Sequence, residues 1–242
     1  MATKLTGPVG LFAADLLSNA SSKAMDFGAY GETSDGRGFR YCGVGAVSTV
    51  AGKVFQGVAL DATNLQPSGG IAVSAAAIGA TAVTLSGVTI SAALATALAG
   101  GYLSVDVTPG QGYLYKIASV GGTSNLVVTL EDPLIVALTA SSKVILVQHP
   151  YSAVVIAPAT ATSVIVGVAP SIITNANFGW MQTFGPASVL FTGVGVAGSA
   201  VGTLVGGTIG SLAPSIAGTN ILGTHMATGI TAEYALVFLN LH

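Results

Sequence analysis

The side chains that could do chemistry are few: nine Asp and Glu, seven Lys and Arg, three His and one Cys in 242 residues. His149, His225 and His242 are too dispersed for any recognised metal spacing, and Cys42 has no His near it in sequence. Glu131 and Asp132 are adjacent, so on a strand they point to opposite sides and cannot work as an acid/base pair. Serines are plentiful, but no Gly-x-Ser-x-Gly elbow stands between a strand and a helix. Gly193-Val-Gly-Val-Ala-Gly198 matches the dinucleotide-binding G-x-G-x-x-G letter by letter. That motif needs a helix behind it and an acid about 20 residues on for the ribose. Here Gly202, Gly206, Gly207 and Gly210 oppose a helix, and no acid precedes Glu233. Gly193, Gly195 and Gly198 therefore read as a glycine-rich strand or loop packed closely on a neighbour. No catalytic residue, metal ligand or cofactor is expected, and the chain is read as a non-enzyme.

The elements that must carry these residues are β-strands. Residues Phe178 to Phe184 alternate large and small, and the Gly185-Pro186 pair reads as a turn before a second apolar strand over Val189–Phe191. Phe178, Trp180 and Phe184 are the expected anchors of the C-terminal core, together with Phe238 in a Tyr234–Leu241 strand apolar on both faces. Asp35-Gly36 predicts a turn before a strand from Phe39, with Val54–Leu60 as its partner. This hairpin carries Arg37, Arg40 and Lys53, either as an electrostatic contact to an acidic neighbour or as an ordinary solvated face. Five or six strands are expected between Ile71 and Tyr151, enough for a small barrel or sandwich. Within that segment Leu126, Val128 and Leu130 should point inward, and Thr89–Ala99 is a candidate helix capped by Gly100.

Composition bounds the rest. Charged residues make up 7% of the chain and Gly supplies 33 positions, against about 25% charge in ordinary soluble domains. No charged residue lies between Asp61 and Asp106, or between Lys143 and Glu233. A free monomer of this kind is poorly solvated, so much of the surface is expected to be covered by other subunits. A spanning helix over Ile71–Leu98 is disfavoured because Ser, Thr and Gly interrupt it and its apolar content is mainly Ala. A membrane barrel lacks recurrent aromatics at strand ends. Net charge −2 offers no basic field to nucleic acid. The Met1–Gly10 segment shows no basic leader with an apolar run, and a lone Cys42 allows no internal disulfide; both fit a reducing cytoplasm.

At Gly36-Arg-Gly-Phe-Arg-Tyr, Gly52-Lys53, Gly112-Tyr-Leu-Tyr-Lys-Ile, Glu131-Asp-Pro-Leu, Gly167-Val168 and Phe178-Gly-Trp-Met-Gln-Thr-Phe-Gly, the chain resembles structural proteins of tailed-bacteriophage virions, of the capsid decoration or cement kind. The resemblance implies a virion protein on the capsid surface, made in the host cytoplasm. Its partners would be the major capsid protein and copies of itself, a trimer being the guess, with neither nucleic acid nor membrane. The alternative is a head-fibre or tail adhesin binding the host surface, for which the Thr174–Asn177 loop could serve. The expected fold is mainly β: a β-sandwich or barrel with an inserted small β domain and an extended N-terminal arm. The expected boundaries are 1–27 for the arm, 28–66 plus 152–242 for the main domain, and 67–151 for the insertion.

Overall fold

The computed structural model describes residues 7–203, 210–215 and 221–241. The chain is mainly β. It opens with β1 (Val9–Leu11), α1 (Ala13–Leu16), β2 (Tyr30–Thr33), β3 (Gly38–Gly43) and β4 (Val54–Gln56). Next come β5 (Ile71–Val73), β6 (Ala82–Ser86), α2 (Ala92–Ala97), β7 (Tyr102–Val107), β8 (Leu114–Gly121), β9 (Val127–Leu130) and β10 (Lys143–Val147). The last stretch holds β11 (Val155–Ile156), β12 (Ile165–Val168), β13 (Phe178–Leu190), β14 (Ala200–Thr203), β15 (Leu212–Pro214), β16 (Ile221–His225) and β17 (Tyr234–Asn240). Contacts divide the chain into two compact units, Ala59–His149 and the remainder.

In the first unit the strands run β1-β2-β3-β13-β17-β16-β14-β15, with β12 joining β13 to β4 and β4 pairing β11. The Asp35-Gly36 turn, with Gly36 at φ +80, connects β2 and β3 as the sequence predicts. Val54–Gln56, however, pairs with β11 and β12 rather than with β3. The predicted hairpin at Phe178–Phe191 is a correction: β13 is one uninterrupted strand. Its first half pairs β3 and its second half pairs β17, exchanging partners near Phe184. The register slips between Gln182 and Phe184, which is the bulge expected where a strand must re-aim. The Gln182 side-chain amide donates to the carbonyls of Phe184 and Pro186 at 3.1 and 2.7 Å, so the irregular backbone is held from within. Gly185 adopts φ +85 without reversing the chain.

Phe39, Tyr41 and Trp180 form a core with Leu11 and Leu16. Tyr41 meets Trp180 edge-on at 5.3 Å. Leu11 and Leu16 seat the N-terminal segment on this core, for the residues described. β1 pairs parallel with β2, Ala20 bridges Phe178, and the Ser171 hydroxyl donates to the carbonyl of Leu16 at 2.8 Å. Residues 1–6 lie outside the described residues. The two buried Leu, the β1–β2 ladder, the Ala20 bridge and the Ser171 bond together hold the segment on its own unit. Val189, Phe191, Val201, Val237 and Leu239 build a further core between β13, β17 and β14.

The second unit is a closed barrel, β10-β5-β6-β9-β8-β7. Val83, Leu85, Leu103, Ile117, Leu126, Val128, Leu130, Val144 and Leu146 fill it, with Leu126, Val128 and Leu130 inward as alternation demands. The side chain of Ser91 caps α2, accepting from the Leu94 amide at 3.1 Å, and Gly100 follows at φ +79. Leu65 belongs to this core, and its carbonyl accepts from the Leu146 amide at 2.9 Å. Residues 59–66 therefore belong with the barrel, not with the main domain, and the boundary falls at Val58/Ala59 instead of 66/67.

Candidate functional site: an uncharged sheet face

β17 is central in its sheet, but only one of its faces is buried. Ala235, Val237 and Leu239 point into the core, whereas Tyr234, Leu236 and Phe238 are 53%, 42% and 38% exposed. Phe238 is thus not the buried anchor the sequence predicts. It meets Phe184 edge-on at 5.2 Å on the outer face, where Phe184 is only partly buried. Phe178 is also partly buried, stacking against Tyr41 and Phe27, and Trp180 alone of the four expected anchors lies fully in the core.

Register extends this outer face across three strands. Pro186 stands opposite Phe238, Ser188 opposite Leu236, and Thr224 of β16 opposite Phe238 from the other side. Met226, 46% exposed, donates its amide to the carbonyl of Leu236 at 2.9 Å and continues the patch. Directly opposed residues of antiparallel strands share a face. None of Phe184, Pro186, Ser188, Thr224, Met226, Tyr234, Leu236, Phe238 and Asn240 carries a charge. An exposed face this apolar across adjacent strands marks an interaction surface more often than an ordinary solvated sheet.

At the edge of the patch an open concavity of about 370 Å³ is lined by Arg37, Gly52, Gln182, Pro186, Ser188 and Tyr234 among others. Its polar groups are already engaged internally. Arg37 donates through Nε to Asp35 at 2.8 Å, and the Tyr234 hydroxyl donates to the Ala51 carbonyl at 3.4 Å. The short contact from the Thr33 hydroxyl, then the Arg37 guanidinium, hold the exposed Asp35 carboxyl below its ordinary range. Of the three basic residues expected to act together, Arg37 alone lines this concavity, while Lys53 follows Gly52 in the Val50–Lys53 turn. Arg40 is turned inward: it donates to the Gly28 carbonyl at 2.9 Å and lies over the Tyr30 ring at 5.1 Å. They do not form one basic patch.

Gly193, Gly195 and Gly198 sit in a loop, not at a helix. Gly193 and Gly198 take φ +104 and +84, and Gly193 exchanges hydrogen bonds with the Thr231 hydroxyl at 2.8 and 3.1 Å. The later part of the glycine run, 204–209, lies outside the described residues. Sequence reading passed over what this loop covers, which is His225, 2% exposed, with neither ring nitrogen hydrogen-bonded. His225 ends β16, opposite inward-facing Val237. Burial pushes the Cys42 thiol up to about 12, so it holds almost no nucleophilic thiolate. Among the described residues no three His, Cys, Asp or Glu side chains gather as a metal site would need, and no helix is long and apolar enough to cross a membrane.

No protein-family model matches the chain, and no curated protein matches it.

Proposed function

We propose that this chain is a structural virion protein that coats or cements the capsid of a tailed bacteriophage through subunit contacts, binding the major capsid protein and further copies of itself, as a trimer. The observation that carries the reading is the uncharged outer face of β13, β17 and β16, presented by a chain with 7% charged residues. Water solvates such a face poorly, and a protein partner removes it from water at a gain of roughly 25 cal/mol per Å² of apolar surface. The likeness of the Gly36–Tyr41 and Phe178–Gly185 segments to decoration proteins points the same way. The physics of cementing is linkage. A protein that binds only the assembled lattice stabilises it by RT ln(1 + [L]/Kd), about 2.7 kcal/mol per site at a hundredfold excess over Kd.

The test is occupancy on shells. Leu236→Lys and Phe238→Lys put a charge on the outer face at positions already in contact with solvent, so folding should survive. Cosedimentation with capsids assembled without this chain should be saturable for the natural protein and fall at least tenfold for either variant. Equal occupancy, or binding of the isolated chain to host cells and not to shells, would overturn the reading in favour of an adhesin.

A further inference from the structure

The strap Gly193–Gly198 closes over His225. Gly195 and Gly229 exchange a reciprocal pair of backbone hydrogen bonds at 2.9 and 3.1 Å, and the Gly198 amide donates to the His225 carbonyl at 2.8 Å. Gly195 is placed where nothing larger fits, and Gly229 where a side chain would be tight. A Cβ on Gly195 would stand 2.1 Å from Nε2 of His225, and one on Gly229 would stand 3.2 Å from Cε1. The imidazole meets the Phe191 ring edge-on at 4.5 Å. A neutral imidazole without partners is costly in such a place, and a charged one is far more so.

We propose that the Gly195–Gly229 clasp over His225 is an acid-opened latch: protonation of the imidazole releases the strap while the sheet beneath stays folded. Among the described residues an imidazolium finds no charged partner, the Ala227 backbone being the one group that favours it. On the segments packed about it, namely Leu190–Thr203, Leu212–Pro214 and Ile221–Asn240, the other titratable groups are Glu233 and Tyr234. Glu233 is exposed before the start of β17, and the Tyr234 ring lies on the opposite face of the sheet. Burial holds the His225 ring below its ordinary 6.5, and the Ala227 backbone pulls weakly the other way. With the closed-state pKa below the open-state one, the latch is most stable above about pH 6.5 and weakens as pH falls through that value. The strap is the part able to yield. It is held by the backbone bonds of a few glycines, with Val194 and Val196 facing solvent, whereas His225 itself is tied into β16 and β17.

Amide exchange followed by NMR on the full chain tests this. Between about pH 7.5 and 5.5, after correction for intrinsic rates, protection at Gly195, Gly198 and Gly229 should fall by up to about tenfold, the limit set by protonation of an open-state imidazole near 6.5. The amides of Gly52 and Leu190, bonded to Ala169 and Gly52 in the same unit, should hold their protection. In His225→Leu the clasp amides should lose their pH dependence. Direct titration of the His225 ring gives a second measurement that needs no variant, and its midpoint should lie below the ordinary value while the clasp is closed. Clasp protection independent of pH would overturn the latch. So would an equal loss in His225→Leu, parallel loss at Gly52 and Leu190, or an imidazole titrating at its ordinary value in the closed state.

Discussion

A methyl group added at Gly31 would have to occupy space that Leu11 and Trp180 already fill, its Cβ standing 2.6 Å from Cδ1 of Leu11 and 2.9 Å from Cζ3 of Trp180. Neither neighbour can retreat easily, since both are buried in the same cluster. Gly31→Ala should therefore destabilise the protein by about 1–3 kcal/mol through overpacking. Gly10→Ala, on the paired strand, meets nothing within 4 Å and should stay within about 0.5 kcal/mol of the parent. Chemical denaturation of both variants decides the matter, and equal midpoints would mean that the N-terminal strand does not close on Trp180. The contrast also marks a limit of reading residues in order. Trp180 is legible as an anchor because it is the only Trp. Its dependence on a glycine in β2 and a leucine in β1 is not legible, because those contacts arise only when distant strands pair. His225 escaped for the same reason: its burial is made by Gly195 and Gly229, and neither announces a partner in sequence.

At the scale of elements, periodicity identified strands well and their partners poorly. Alternation in Asn125–Leu130 places Leu126, Val128 and Leu130 correctly inward, since period two alone decides which face a side chain takes. The Gly185-Pro186 pair misleads because its local signature is that of a turn. In place, the strand trades one neighbour for another there and absorbs the change in a bulge. β17 gave a related error. Seven residues with apolar character on both faces argue for burial on both, yet only the odd-numbered face is covered within the described residues. That difference has a measurable sign. Val237→Ala, fully buried, should cost about 1–3 kcal/mol, while Leu236→Ala, 42% exposed, should cost less than about 1 kcal/mol in the dissociated protein. Matching losses for the two would indicate that the outer face is covered within the monomer, and would remove the support for a subunit interface there.

At the scale of the molecule, the division into two units is a consequence of closure. A sheet that returns on itself leaves no edge strand, so the barrel has no unpaired backbone ladder that would need the other unit. Its core is its own, running from Leu65 through Leu146. About 90 residues can bury enough surface to fold independently. The segment lacks charge between Asp61 and Asp106, but Asp106, Lys116, Glu131, Asp132 and Lys143 in its second half supply solvation, and Lys116 pairs with Glu131 at 3.0 Å. Expressed alone, Ala59–His149 should give β-type circular dichroism and one cooperative thermal transition. Ending the fragment at 67 instead of 59 should weaken it, because that removes Leu65 and the bond its carbonyl accepts from Leu146. Removing a buried Leu side chain alone costs about 2–5 kcal/mol. A fragment that stays unfolded with residues 59–66 present would show that closure of the sheet is insufficient, and that the barrel draws stability from the rest of the chain. Folding equally well without them would return the boundary to 66/67.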